Sequence, residues 1–287
     1  MKRAPKLRLL LAATLIHGCS SEPAAKDDSS PIPVPPVKCE GPGYAEAAPS
    51  QFIASVSATL VDQAGDPVAN ELVQVCGVDL CVAGESSAAG GVLLGPMQAM
   101  KRPAFKFGEG KHSARFAWLL PADTPEVDLG TVRTVLLPPL GSGAALTPGE
   151  EASSGGLSLL PAAGGNIRFD RLTFRSGEEQ QLRAVRLDVT TAPAVVAPEL
   201  GFEIVYATTP VDTAFCPPAE LRIENSEGWA PGTEVEVWLH GVHVEQEWAP
   251  YGGWAKVSTA QVSADATRIE TSAAGLPFLG VLGFKRR

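Results

Sequence analysis

Short stretches of alternating apolar and polar residues, separated by glycine and proline, recur along the chain from residue 51 onward. The stretch at 54–60 is typical, because apolar side chains fall at every second position: Ala54, Val56, Ala58 and Leu60. Such alternation indicates a β-strand with one buried face. The sequence contains no amphipathic segment that is long enough to predict a helix. Many short strands with Gly/Pro turns are typical of β-sandwiches, so we expect an all-β protein.

Residues 58–77, ATLVDQAGDPVANELVQVCG, contain a strand, a turn of the form D-x-x-G-x-P-V, and a second strand of alternating valines. The residues that carry this pattern are Asp62, Gly65, Pro67, Val68, Val73 and Val75. The pattern resembles the opening of the carboxypeptidase regulatory-like, or transthyretin-like, domain, and the resemblance covers roughly 52–138. It departs from the family at 86–91, where SSAAGG replaces the usual later D-x-x-G turn. The resemblance implies a seven-stranded β-sandwich without catalytic residues, which serves as an accessory, spacer or adhesive module in secreted and surface proteins.

The composition changes along the chain in a way that predicts five segments. A signal peptide is expected at 1–18, and a tether rich in Pro, Ser and Ala follows at 19–50. The first β-sandwich is expected at 51–140, a linker rich in Gly, Ser and Pro at 141–154, and a second β-sandwich at 155–287. The predicted fold is thus two tandem β-sandwiches of the immunoglobulin or transthyretin-like type. The second resembles domains that follow regulatory-like modules in large bacterial surface proteins.

The N-terminus combines a basic segment, MKRAPKLR, with a short apolar run, LLLAATLI, which is typical of a secretory signal. The run ends in Ile16-His17-Gly18-Cys19, which resembles the bacterial lipobox, although His17 replaces the usual small residue. The resemblance implies cleavage before Cys19 and a lipid on its thiol. Ser20 and Ser21 lack the aspartate of the inner-membrane sorting rule, which implies the outer membrane. The alternative is an ordinary signal peptide followed by a chance cysteine.

The net charge limits the classes of partner. Removal of residues 1–18 takes away four basic residues and no acidic ones, so that 23 basic and 32 acidic residues become 19 and 32. The net charge then changes from −9 to −13. Nucleic-acid binding needs a basic face, so we expect no nucleic-acid partner. The acidity also opposes electrostatic binding to anionic lipid, so the attachment to the bilayer should be the lipid anchor on Cys19.

Four cysteines remain if Cys19 is lipidated. They are Cys39, Cys76, Cys81 and Cys216, and an even number in an exported chain predicts disulfides. Three pairings are possible, of which we favour the local bond Cys76–Cys81 and the long closure Cys39–Cys216. Zinc is the alternative, but C-x4-C without a second cysteine pair or a nearby histidine pair indicates zinc only weakly.

The residues that support catalysis are sparse, so we expect no enzyme, cofactor or metal. His112 and Ser113 are adjacent, but nothing in the sequence predicts the third group of a triad or an oxyanion hole. His240 and His243 would point to opposite faces of a strand, and His240 is predicted to be solvated. Asp62 and the nearby Asp66 are expected to form a turn rather than a calcium site. A hydrolase with an unrecognised carboxylate pair remains an alternative.

An aromatic cluster lies near the C-terminal end of the chain. Its members are Trp238, Trp248, Tyr251 and Trp254. The strand TEVEVWLHG predicts an apolar face of valines and leucine, with Trp238 among polar residues on the other face. Exposed aromatic residues stack on sugars or anchor a protein partner, so these four residues are a possible ligand or partner surface. The alternative is that they fill the contact between the two sandwiches.

These observations together predict an exported, membrane-anchored lipoprotein of the bacterial envelope. Its expected role is non-catalytic, as a structural, adhesive or assembly module whose partner is an envelope protein or a polysaccharide. The first alternative is a glycan-binding module that uses the C-terminal aromatic residues. The second is the envelope hydrolase.

Overall fold

The computed structural model describes residues 39–44, 49–245, 247–272 and 275–287. Strands dominate these ranges, and the only helical segment in them is a 3-10 turn at Pro198–Leu200. The all-β prediction is therefore confirmed. The predicted signal peptide, the lipidation site Cys19 and most of the predicted tether lie outside the described residues.

The first body contains nine strands. They are β1 (Ser50–Ile53), β2 (Ser55–Val61), β3 (Leu72–Cys76), β4 (Cys81–Glu85), β5 (Gly91–Leu94), β6 (Gln98–Lys101), β7 (Ala104–Phe107), β8 (Phe116–Leu119) and β9 (Glu126–Arg133). Seven of them form a sheet of three, β5-β2-β9, and a sheet of four, β4-β3-β7-β8, while β1 pairs with β6. Strands β2 and β9 are parallel, and the other pairs of this body are antiparallel.

The turn after β2 explains the D-x-x-G pattern of the sequence. The Asp62 carboxylate accepts hydrogen bonds from the backbone N–H groups of Ala64 and Asp66, at 2.8 and 3.0 Å. Gly65 has a φ of 94°, a conformation that side-chain-bearing residues rarely adopt. This turn is closed by its own side chain, as the sequence predicts for a structural role.

The second body contains twelve strands. They are β10 (Ala144–Ala145), β11 (Ala152–Ser154), β12 (Leu157–Leu160), β13 (Asn166–Arg168), β14 (Gln181–Leu187), β15 (Ile204–Thr209), β16 (Ala214–Glu224), β17 (Glu234–His240), β18 (Trp254–Val262), β19 (Arg268–Thr271), β20 (Leu276–Phe278) and β21 (Val281–Arg286). They follow the order β10-β14-β15-β21-β17-β18-β19-β16-β12-β11, with β13 and β20 also paired to β16. Residues of most of these strands meet in one apolar core, so the sheet closes around it. Strands β10 and β11 fall within the predicted linker at 141–154. Their backbones pair with β14 and β12, so these residues are part of the second body.

Three apolar clusters fill the interior of the described residues. The smallest joins Cys76, Ala104 and Ala117 of the first body to Phe174, Val211, Val242 and Tyr251 of the second. The other two are larger. One contains only residues between Ala152 and Phe284, all of the second body. The other is built mainly from the first body but includes six buried residues of the second: Leu187, Val196, Phe202, Val205, Ala207 and Val281. The two bodies therefore share a core, and the described residues belong to one compact unit.

Candidate functional site

The contact between the two bodies is built around aromatic rings. We call it the joint and define it by Ala117, Phe202, Trp238, His240, Tyr251 and Trp254. The Phe202 ring lies 4.7 Å from Trp254 and 6.1 Å from Trp238, measured between ring centroids. The His240 ring lies 5.0 Å from Trp254. Offset and tilted rings at these separations attract one another beyond the burial of their area.

His240 is fully buried in the joint, so the prediction that it is solvated is wrong. Its Nε2 accepts a hydrogen bond from the backbone N–H of Ala117 at 3.1 Å, and its Nδ1 lies 3.0 Å from the carbonyl oxygen of Gly253. These two contacts require a neutral ring that is protonated on Nδ1. Burial lowers the pKa of His240 to about 4. At His240, the face of β17 that the sequence marks as polar meets strand β8 of the first body.

Tyr251 enters the first body from the loop that joins β17 to β18. Its side chain is buried, and its hydroxyl donates to the carbonyl oxygen of Cys76 at 3.0 Å. The guanidinium of Arg102 donates back to the carbonyl oxygen of Tyr251 at 2.9 Å. Next to it, Gly252 has a φ of 68°, and a Cβ there would lie 2.6 Å from the side chain of Leu119. The loop therefore fits only with glycine at 252.

The two tryptophans of the joint have their polar atoms bound within the chain. The indole N–H of Trp254 donates to the carbonyl oxygen of Val195, and that of Trp238 donates to the carboxylate of Glu236, both at 3.0 Å. The ammonium of Lys285 lies over the Trp238 ring, 4.6 Å from its centroid. Each of these contacts fixes a ring in place within the second body.

A second group of contacts between the bodies lies around Arg183, which the sequence analysis missed. This side chain is fully buried, and its Nη1 donates to the carbonyl oxygens of Lys111 and Pro138, both at 2.7 Å. Lys111 also forms an ion pair with Glu179 at 2.8 Å. Only the tertiary structure brings the acceptor carbonyls to Arg183, so the strand sequence LRAVRL gives no signal of this role.

The predicted aromatic surface is divided by the structure. Trp238, Tyr251 and Trp254 belong to the joint, whereas Trp248 packs partly against the core of the second body and lines an open pocket. The four residues do not form one continuous surface. For Tyr251 and Trp254, the structure agrees with the alternative that aromatic residues fill the contact between the two sandwiches.

The pocket beside Trp248 has a volume of about 700 Å³. Its lining includes Phe169, Phe278 and several carboxylates, among them Asp212 in the turn between β15 and β16. The Oδ1 atom of Asp212 is buried and has no hydrogen-bond partner among the described residues. Burial raises the pKa of Asp212.

Both favoured disulfides are present, Cys39–Cys216 and Cys76–Cys81. The first joins residues 177 positions apart and ties the N-terminal segment to the second body, while the second closes the hairpin of β3 and β4 within the first body. Disulfides persist in oxidising compartments, so they agree with an exported protein. Among the described residues, no helix has the length and apolar character required to cross a bilayer.

The residues considered for catalysis are used structurally. The Ser113 hydroxyl donates to the buried carboxylate of Glu71 at 2.6 Å, which also accepts from the backbone N–H of Glu109 at 3.0 Å. Burial raises the pKa of Glu71. The side chain of His112 is exposed and lies 3.7 Å from the Glu109 carboxylate. Within the described ranges, no group of three or more His, Cys, Asp and Glu side chains is placed to hold a metal ion.

No protein-family model matches the chain, and no curated protein matches it. Among solved structures, it is similar to the shaft pilin SpaA of Lactobacillus rhamnosus GG, with 11% identity and a TM-score of 0.21, over 58% of this chain and 93% of that one. It is also similar to the TIE protein of Bacillus anthracis, with 11% identity and a TM-score of 0.25. That match covers 82% of this chain and 45% of the other. These scores are too low to assign a family or a function.

Proposed function

We propose that this chain is a non-catalytic module of the bacterial envelope, anchored through a lipid on Cys19, in which two β bodies act as one rigid spacer or assembly unit. The N-terminal sequence supports the anchor, and the disulfides support export. The single observation that carries the spacer role is the joint. Its buried rings and its hydrogen bonds from Tyr251 and to His240 hold the bodies in one orientation.

Relative motion of two bodies is the default where their contact is small and polar. Here the contact is apolar, and the core of the first body is completed by six buried residues of the second. Rotation of one body on the other would expose Phe202 and would break the hydrogen bond between His240 and Ala117. A spacer needs a fixed orientation between its two bodies, since a flexible hinge would not hold the distal body in a defined position.

The glycan-binding alternative depends on Trp248. Tyr251 is buried, and the ring of Trp254 packs against Phe202 and His240, so neither ring is available as a stacking platform without opening the joint. Trp248, on the wall of the pocket, is the member of the predicted surface placed to meet a ligand.

The anchor is tested by fractionation of cells that produce Cys19→Ser, with Ser21→Ala as the matched control. We expect the control to remain in the membrane fraction with the mass of a lipidated protein, and Cys19→Ser to lose both properties. A Cys19→Ser protein that stays in the membrane fraction with unchanged mass would contradict the anchor.

The rigid unit is tested with spin labels on non-natural residues at two exposed positions, Leu93 in the first body and Ala230 in the second. A single narrow distribution of label-to-label distances is expected, and Phe202→Ala should broaden it. A broad distribution in the parent protein would refute the spacer role and leave the anchor unaffected.

A further inference from the structure

The disulfide Cys39–Cys216 determines which body the N-terminal segment is fastened to. Cys216 lies on β16 of the second body, whereas the chain after Cys39 continues to β1 of the first body. The 177 positions between the two cysteines include all nine strands of the first body. The whole first body therefore lies inside a closed covalent loop, and the residues before Cys39 are bonded directly to the second body.

Two hydrogen bonds accompany the disulfide where the N-terminal segment meets the second body. The backbone N–H of Gly41 donates to the Glu247 carboxylate, and that of Gly43 donates to the Glu247 carbonyl oxygen, both at 3.1 Å. Glu247 is exposed, so water competes for these hydrogen bonds. A pull on the N-terminal segment would break such bonds long before a covalent bond, so the disulfide is the fastening that resists tension.

The entry to the first body is a weak point under tension. The chain enters through β1, which pairs with β6 in a sheet of two strands. A two-stranded sheet is only marginally stable by itself. Within β1, Ile53 belongs to the core, whereas Phe52 is half-exposed. The core behind β1 is completed by six residues of the second body, so tension at β1 would act on the body that depends on its neighbour.

The second body is better placed to carry tension. Phe215, next to Cys216, and Phe284 of β21 are buried in one apolar core that the second body completes by itself. Strand β21 is central in its sheet, because it pairs with β15 on one side and with β17 on the other. A force that enters at Cys216 and leaves along β21 therefore crosses a single closed core.

We propose that Cys39–Cys216 is a mechanical clamp: tension between the membrane anchor and a partner held by the second body passes through this disulfide and leaves the first body unloaded. The inference rests on the proposed anchor at Cys19. The loop that the disulfide closes cannot be extended while the bond is intact. The clamp thus protects the body whose core is incomplete, and it keeps the spacer at a fixed length under load.

The test is single-molecule force spectroscopy on residues 19–287. One handle is attached to the Cys19 thiol in place of the lipid, the other is fused after Arg287, and both disulfides are verified by mass spectrometry. In the oxidised protein, unfolding should release at most residues 217–287, or about 250 Å of extended chain. A longer extension with the disulfide intact would refute the clamp.

A variant that opens the loop shows whether the first body needs this protection. Cys39→Ser combined with Cys216→Ser should release up to about 620 Å more chain. We expect the first body to unfold at a lower force than the second in this variant. Cys76→Ser combined with Cys81→Ser is the matched control, because it removes a disulfide inside the loop, and its extension should equal that of the parent protein.

An open-loop protein in which the first body unfolds at the same force as the second, or at a higher one, would overturn the proposal. If the open-loop variant does not fold, dithiothreitol added to the parent protein between pulling cycles gives the same comparison. The handle replaces the lipid in these measurements, so failure of the clamp leaves the anchor unaffected. Failure of the anchor is seen separately, in the fractionation of Cys19→Ser.

Discussion

The two bodies differ in how they close their cores. The second body buries a cluster that lies entirely between Ala152 and Phe284, so it is complete by itself. The first body has seven strands in two sheets, yet its cluster includes Phe202, Val205 and other side chains of the second body. A sandwich of fewer than a hundred residues buries a smaller fraction of its surface than a larger one. The comparison teaches that the first body depends on the second to complete its core, whereas the second body has a core of its own and relies on the first mainly at the contact, as at Arg183.

The strongest way to break this comparison is to separate the bodies. A fragment of residues 49–140 should lack a cooperative unfolding transition, since it loses six apolar neighbours worth roughly 1.5–3 kcal/mol each for the larger ones, against a total of about 5–15 kcal/mol. A fragment of residues 141–287 with Cys216→Ser should unfold cooperatively. Circular dichroism during urea unfolding measures both. A first fragment that is as cooperative as the full chain would show that it needs no partner.

The next largest effect is expected from Phe202→Ala, which removes the ring between Trp238 and Trp254. The loss should be about 3–5 kcal/mol, as for other buried phenylalanines. The matched variant Phe215→Ala removes a ring from the core of the second body alone. We expect Phe202→Ala to divide the single thermal transition of the parent protein into two, with the first body unfolding at a lower temperature and the second nearly unchanged, and Phe215→Ala to lower the whole transition. Equal lowering of both bodies by the two variants would contradict the dependence of the first body on the second for its core.

His240 gives the joint a pH dependence. Its pKa in the folded protein, about 4, lies below the ordinary value of 6.5, so the unfolded chain binds more protons between these values. The free energy of unfolding should therefore be fully developed above pH 6.5 and should fall by up to about 3 kcal/mol as the pH decreases toward 4. His240→Gln should flatten this part of the profile relative to the parent. His112→Gln, at an exposed site outside the joint, is the matched control.

The smallest effect is expected from Tyr251→Phe, which deletes the hydroxyl that donates to the carbonyl oxygen of Cys76. Loss of one buried hydrogen bond should lower the free energy of unfolding by about 1 kcal/mol. Tyr206→Phe is the control in the second body, because the Tyr206 hydroxyl makes no hydrogen bond among the described residues. The control should change the urea midpoint less than Tyr251→Phe does. The reverse order would show that the Tyr251 hydroxyl does not stabilise the joint.

The sequence predicted local features well, because these depend on neighbours along the chain. Alternation correctly identified Val235, Val237 and Leu239 as the buried face of β17, and the all-β class follows from many such stretches. The same reasoning failed for His240, which lies on the opposite face. That face would meet water in an isolated sandwich, but at His240 the edge strand β8 of the first body lies against it, and Ala117 supplies the donor. Alternation with period two assigns residues to the two faces of a strand, but it does not show whether solvent or another part of the protein lies against each face.

The site shows the same limit. The sequence marked Trp238, Trp248, Tyr251 and Trp254 as a group because they are close along the chain, and it left open whether they bind a ligand or pack between sandwiches. The loop between β17 and β18 sends Tyr251 into the first body and Trp248 toward the pocket. Asp212 had no local signal, since its unused oxygen is defined by what surrounds it in space. The predicted boundaries of the domains and the lipid on Cys19 stay predictions.

Differential scanning calorimetry of the full chain tests the central claim most directly, because it counts the units that unfold together. If the first body is completed by the second, the first cannot remain folded after the joint opens, so it must unfold no later than the second. The account predicts a single transition in the parent protein, with a calorimetric enthalpy equal to the van't Hoff enthalpy. Two well-separated transitions in which the second body unfolds first, leaving a folded first body, would contradict it.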